Sequence, residues 1–528
     1  MKTYQYAGLV LIAMAFAASA QAQTIQWEVV HRFRLATQPE QGKALYDQIR
    51  VAPDLASKGR SYLYPSPLRK LSFEYSELAL PATAWDPSAQ VYAANYAHPQ
   101  AWEIKAAIPS LRARTCVWLV QSSGKQTEGD CAGTRLAVQL NDQVSATVVG
   151  DPAGKEISTP VEIQHKRVLV MGDSFASGEG VPEINREAVY EGTMFKEFVS
   201  MPYWWDQKCH RSLLSAGVQA SLKWAMADPR RSVTTLSYAC SGAEIGQIVD
   251  GASKNGGVLG HYDGRETSEQ LTSRRKHGRW QDRFNVNLHL SEVQPLPSQL
   301  NQAIRDLCPS TVDRSHAVWV CPQGLASPDL LVFSIGGNDV GFGEIIRKAV
   351  LGDCKAECVK RISEAGFSTL TARYDEMATL INTHLAPGRV LMLDYGNPTQ
   401  DENGAYCSTD GSPFNATKNM GPGGLLRISR EEYQAAHRLV VGPVNDAGDR
   451  LVERNRDKGW ARLRVMEKAT AKKGICSKRS WFNSSWSAYF KQHNLPGEVY
   501  SSGTAHPNII YQAYQSDAIV DWMKRTGF

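Results

Sequence analysis

The stretch Val168-Leu169-Val170-Met171-Gly172-Asp173-Ser174 decides the fold. Four apolar residues run uninterrupted and stop at a glycine, the pattern of a strand covered on both faces that ends in a turn. Runs of the same kind recur at Val233 to Tyr238, Leu330 to Ile335, Val390 to Leu393 and Leu463 to Met466. Helical stretches lie between them, notably Leu213 to Met226, Phe367 to Leu385 and Arg430 to Lys458. A last helix is expected over Pro507 to Lys524, with Pro507 in its first turn and Ile509, Ala513, Val520 and Met523 on one face. Strands alternating with helices predict an α/β domain: a parallel sheet inside a three-layer sandwich.

Upstream the character differs. From Gln23 to Gln164 the chain reads as short strands, at Trp27 to Val30, Val91 to Ala94, Cys116 to Val120, Leu136 to Leu140 and Val144 to Val149. Turn clusters such as Ser122-Ser123-Gly124 separate them, and Gln41 to Ile49 alone has a helical period. A smaller β-sandwich domain over 23–164 is expected, ahead of the α/β domain over 165–528. Residues 1–22 read as an export signal: Lys2, an apolar stretch from Ala7 to Ala18, then Ala20-Gln21-Ala22 as a cleavage site. No later stretch has the roughly 18 uninterrupted apolar residues of a membrane span. The expectation is an exported protein, periplasmic or extracellular, without a transmembrane anchor.

The formal charge of +5 over 528 residues is not gathered into one block and argues neither for nor against nucleic acid; no nucleic-acid partner is expected. Ten cysteines in an exported chain favour disulfides over free thiols. Sequential pairing is the simplest arrangement: Cys116–Cys131, Cys209–Cys240, Cys308–Cys321, Cys354–Cys358 and Cys407–Cys476. A zinc site at Cys354 and Cys358 would need a second close pair of ligands, which the sequence lacks, so neither metal nor cofactor is expected. Two polar stretches, 253–299 with its basic run Arg274-Arg275-Lys276-His277 and 400–425, read as surface excursions.

In an open parallel sheet, ligands bind beyond the carboxyl ends of the strands. Those positions are polar and Gly-rich here: Gly172-Asp173-Ser174, Cys240-Ser241-Gly242-Ala243, Gly336-Gly337-Asn338-Asp339 and Asp394-Tyr395-Gly396-Asn397. A serine hydroxyl needs a base to become a nucleophile, and a developing oxyanion needs preorganised amides. Ser174, a Gly amide and an Asn side chain supply such parts, while the histidine must come from elsewhere. Asp173 is expected to cap or orient the turn.

Gly172-Asp173-Ser174-Phe175-Ala176-Ser177-Gly178-Glu179-Gly180 resembles the first block of the SGNH, or GDSL, hydrolases. Gly336-Gly337-Asn338-Asp339 resembles their third block, and His506-Pro507-Asn508 their last. Cys209-His210-Arg211-Ser212 with Ala239-Cys240-Ser241-Gly242-Ala243 is similar to the first disulfide pair of the secreted actinobacterial lipase and esterase branch. The resemblance covers Lys166 to Phe528. It implies a flavodoxin-like fold, Ser174 as nucleophile, His506 as general base, and the Ser174 amide, Gly242 and Asn338 as oxyanion donors.

One position departs from the family. Where most members carry an Asp three residues before the histidine, this chain has Gly503. The resemblance leaves two sources for orienting His506: the Gly503 carbonyl, as in some members of the secreted branch, or a distant carboxylate such as Asp410 or Glu498. The implied activity is hydrolysis of carboxylic esters, from lipid or acylated glycan substrates, by a monomer. O-deacetylation of carbohydrates and acyl transfer are the alternatives within the same chemistry. An exported glycan-binding or adhesion protein with weakened catalysis is the alternative of another class.

Overall fold

The computed structural model describes residues 23–59, 81–183, 188–191, 194–198, 203–246, 296–350, 355–408, 428–484, 488 and 503–528. The expected export signal, the core of both polar excursions, Cys354, Asp410 and Glu498 lie outside the described residues.

Five strands form one fully parallel sheet: β1 (Gln164–Gly172), β2 (Arg231–Ser237), β3 (Leu330–Ser334), β4 (Val390–Leu393) and β5 (Trp460–Leu463). Their order across the sheet is β2-β1-β3-β4-β5. Every residue of β3 and β4 is buried, as strands with cover on both faces require. The order is that of flavodoxin-like sheets, and it reverses direction between β1 and β3. The expected α/β architecture is present.

Two groups of helices pack around it. Helix α1 (Pro39–Gly59), α3 (Ala216–Met226) and α10 (Ile509–Arg525) contact one another, while α6 (Ala356–His384) packs with α7 (Arg430–Ala436) and α8 (Gly442–Arg454). Four shorter helices among the described residues are α2 (Ser174–Ser177), α4 (Gln299–Leu307), α5 (Phe342–Val350) and α9 (Met466–Thr470).

Three local expectations need correction. The fifth strand is Trp460–Leu463, not Leu463 to Met466, because the Asp394 carboxylate accepts from the amides of Val465, Met466 and Glu467 and turns that apolar run into the start of α9. Arg430 to Lys458 is not one helix, since a π-helical turn over His437–Val441 precedes α8. Pro443 has no amide to give the preceding turn, and the hydrogen-bond ladder shifts ahead of it. Pro507 lies outside the last helix, which Asn508 caps by accepting from the amides of Ile510 and Tyr511.

The division into domains also differs from the expected boundary at 164. One compact unit holds Ala101–Glu162 with the described residues up to Glu28, and the other holds Val29–Gln100 with Ile163–Phe528. In the smaller unit, Thr115–Val120, Lys125–Asp130, Asn141–Val148 and Glu156–Glu162 form a four-stranded antiparallel sheet, and Trp102–Ala107 pairs antiparallel with Thr134–Val138.

The reason Val29–Gln100 joins the larger unit is the open edge of β2. An edge strand presents unpaired amides and carbonyls on alternate residues. At Val233 the main chain of Arg32 and Arg34 fills them (2.7 and 3.0 Å). At Thr235 the Tyr96 hydroxyl accepts from the amide (3.1 Å) and donates to the carbonyl (2.7 Å), and the Tyr92 hydroxyl accepts from the Ser237 amide (2.6 Å). Beneath them Trp85, Tyr92 and Tyr238 pack edge to face, and Trp85 lies 4.7 Å under the guanidinium of Arg211. Arg211 is fully buried and pairs with equally buried Asp206 at 2.9 Å.

Arg211→Ala leaves Asp206 charged and uncompensated, and is expected to cost about 3–5 kcal/mol of unfolding free energy. Urea denaturation of the two proteins measures it, and a loss under about 1 kcal/mol would show the pair to be dispensable.

Candidate active site

The position of Ser174 begins with a glycine. Gly172 has φ 123°, and a Cβ there would lie 2.1 Å from the Ser334 carbonyl oxygen, so β1 and β3 end in main-chain contact. The Gln299 side chain closes the turn by bonding both the amide and the carbonyl of Gly172, each at 2.8 Å. Asp173 follows as the cap of α2, its carboxylate accepting from the Phe175 amide at 3.0 Å. Ser174 is the first residue of that helix, where main-chain amides have no intrahelical acceptor.

Ser174 Oγ lies 2.7 Å from His506 Nε2. The other ring nitrogen, Nδ1, is 3.1 Å from the Thr504 carbonyl oxygen. A carbonyl only accepts, so Nδ1 carries the proton and Nε2 is left to accept from the serine hydroxyl. The expected role of Gly503 is therefore corrected: its carbonyl accepts from the His506 main-chain amide (3.1 Å), and the carbonyl one residue later holds the ring. Ala505, at φ 62°, provides the backward turn that brings Thr504 under the imidazole.

His506 is braced from both sides. Its carbonyl accepts from the Asn483 amide (2.8 Å), and the Asn483 side chain donates to the Gly180 carbonyl (2.7 Å). Gly180 has no room for a side chain, since a Cβ would meet the Pro507 oxygen at 2.2 Å and the His506 Cβ at 3.1 Å. The residues that follow α2 are thus packed directly on the histidine segment.

The remaining strand ends are tied together around the serine. Gly242 sits at φ 76° in the loop after β2, and the Asn338 side-chain amide donates to the Ala243 carbonyl (2.9 Å), joining that loop to the one after β3. The Ile245 amide donates to Asp339, which pairs with Arg373 at 2.6 Å. Tyr395, after β4, donates to the Asp173 carboxylate (2.5 Å) and accepts from the Gly337 amide (3.1 Å). Burial pushes the Asp173 carboxyl up to about 7, against the pull of the Tyr395 and Phe175 bonds, and burial likewise raises Asp339 to about 6.

Sequence reasoning marked Tyr395 as one of the polar residues after a strand but gave it no role; Gln299, which stands on α4 with no local signal, was missed. The expected disulfides Cys116–Cys131, Cys209–Cys240, Cys308–Cys321 and Cys407–Cys476 are present. Cys358 is also disulfide-bonded, and its expected partner Cys354 lies outside the described residues. Among the described residues no group of three or more His, Cys, Asp or Glu side chains is arranged to hold a metal ion.

No family model and no curated protein sequence matches the chain. Solved structures similar to it include an extracellular lipase from Streptomyces rimosus, at 18% identity and TM-score 0.37, covering 68% of this chain and 99% of the lipase. A phospholipase A1 from Streptomyces albidoflavus aligns at 17% identity and TM-score 0.35, covering 68% and 98%. A family 2 carbohydrate esterase with a carbohydrate-binding domain from Corynascus thermopiles aligns at 13% and 0.29, covering 79% and 88%.

Gly180→Ala forces the His506 segment away from Ser174. A displacement near 1 Å is expected to slow covalent labelling of Ser174 by a fluorophosphonate on the order of 100-fold. Labelling rates followed by intact-mass spectrometry test this, and an unchanged rate would mean the brace is not needed.

Proposed function

We propose that this protein is an exported serine esterase that hydrolyses carboxylic acyl esters through an acyl-enzyme on Ser174. The observation that carries the reading is the 2.7 Å contact between Ser174 Oγ and the unprotonated Nε2 of His506, at the point where the sheet order reverses. His506 takes the hydroxyl proton as Oγ attacks the acyl carbon, then passes it from Nε2 to the departing alcohol oxygen. Water, deprotonated by the same nitrogen, attacks the acyl-enzyme, and the proton returns to Ser174.

The oxyanion is assigned to three donors: the Ser174 and Gly242 main-chain amides and the Asn338 side chain. Asn338 spends one N–H on Ala243, which holds the amide group in place and leaves the second for the substrate. Four disulfides among the described residues support the export reading, because such bonds persist in oxidising compartments. The two antiparallel sheets of the smaller unit support its reading as a β-sandwich.

Purified protein is expected to cleave short p-nitrophenyl esters, with Ser174→Ala and His506→Ala each lowering kcat on the order of 1,000-fold or more. Equal turnover in all three proteins would reject the site. A series from acetyl to palmitoyl esters, run alongside an acetylated polysaccharide, then assigns the acyl group.

The pH dependence has a definite sign. Burial of the ring holds the His506 pKa below its usual 6.5, the nearby Glu179 charge and the Thr504 carbonyl opposing that shift and His210 adding to it. The base works when neutral, so kcat/KM should be at plateau above that pKa and fall as pH drops through it. The midpoint of the acidic limb is expected below 6.5; a midpoint above 6.5 would contradict the burial argument.

A further inference from the structure

The proposed mechanism passes a positive charge to His506 and offers it only a neutral carbonyl at Nδ1. A second buried pair lies beside it. Glu179 and His210 are 2.6 Å apart, Oε2 to Nδ1, with side chains 0% and 5% exposed. Neither group is used in the reaction as described.

Their placement is built from several directions. Glu179 stands in the turn between Ser174 and Gly180: its amide donates to the Ser174 carbonyl (3.2 Å), and Gly180, the next residue, is the one packed on His506 and Pro507. His210 is fixed by its neighbours on either side, Cys209 in the disulfide to Cys240 and Arg211 in the buried pair with Asp206. Its backbone is left-handed, at φ 48°, and Trp204 stacks on its ring with centroids 4.1 Å apart. Such constraint on a carboxylate–imidazole pair exceeds what a surface ion pair receives.

We propose that Glu179, held by His210, is the anionic positioning residue that stabilises the His506 imidazolium through space, taking the electrostatic part of the acid that Gly503 replaces. This rests on the proposed roles of Ser174 and His506. Coulomb attraction needs no contact, and at low effective dielectric a carboxylate one shell away still favours the protonated ring. The charged groups that act on His506 among the described residues are Glu179, which raises its pKa, and His210, which lowers it. Beyond His210 the Asp206–Arg211 pair is internally neutral. His210 therefore sets how much of the Glu179 charge reaches His506: neutral, it leaves a net anion, and protonated, it cancels it.

The test follows the His506 ring directly, in ring-13C-histidine protein, with the resonance assigned by its loss in His506→Gln. Glu179→Gln is expected to lower the proton affinity of His506 roughly tenfold and to carry the acidic limb of kcat/KM down with it. The loss of rate should fall on kcat with KM unchanged, and Glu179→Asp should restore part of both. His210→Asn, a residue tolerated at positive φ, is expected to move the His506 titration the opposite way, upward. That second variant decides the matter should Glu179→Gln not fold. An unmoved His506 titration in the folded variants, or a shift of the same sign in both, overturns the proposal. The NMR readout needs no turnover. An inactive wild type with these shifts present would reject the esterase reading alone, whereas Ser174-dependent hydrolysis with the shifts absent would reject this inference alone.

Discussion

The close approach of β1 and β3 at Gly172 is the constraint from which the site follows. No side chain fits between that residue and the Ser334 carbonyl, so the two strands can end in register, and the Asp173 amide then donates to the same carbonyl (3.0 Å). The chain leaves β1 at a fixed angle, and the helix that begins there directs Ser174 into the gap where the sheet order reverses. A β-carbon at this point would separate the strands, and with them the loops holding Ser174 and Asn338. Tyr395 and Gln299 act on the same turn from two further elements, which makes the position of Ser174 over-determined.

The electrostatics are less usual than the geometry. The carboxylates bonded into the turn and loops, Asp173 and Asp339, serve main-chain amides, Tyr395 and Arg373, and neither is bonded to the imidazole. His506 is oriented by a carbonyl dipole. A neutral hydrogen bond contributes about 0.5–1.5 kcal/mol net and one to an ionised group about 1.5–3, so a carbonyl directs the ring as well as a carboxylate would but stabilises its charged form less. Burial acts in the same direction. The imidazole is consequently well aimed and easily kept neutral, and support for a positive charge on it has to come from farther away than Thr504.

Much of this was legible because strands buried on both faces leave continuous apolar runs, and four of the five are where those runs lie. The glycines and polar residues after them mark the carboxyl end of the sheet for the same reason, that the chain must turn there while offering main-chain amides. What was hidden depended on partners distant in sequence. Leu463 to Met466 reads as a strand until the Asp394 carboxylate is seen collecting three amides from it. The Gly503 assignment missed by one residue because the positive φ of Ala505, a non-glycine, reverses the chain locally. Asp410 and Glu498, the alternative orienting acids, lie outside the described residues.

The largest difference, the transfer of Val29–Gln100 to the larger unit, has a physical cause that also bears on the candidate site. An edge strand in a parallel sheet needs its outward amides satisfied, and here two tyrosine hydroxyls, spaced four apart in sequence, reach alternate residues of β2. The same segment sends Trp85 beneath Arg211 and the Gln90 side chain to Asp206 (3.1 Å). Arg211 and Asp206 flank Cys209 and His210, so the segment that protects the sheet edge also supports the turn carrying His210. A stretch that reads as part of a separate β domain is thereby an outer wall of the larger unit, and its tyrosines could not be exchanged for phenylalanine without exposing the edge of β2 to unpaired burial.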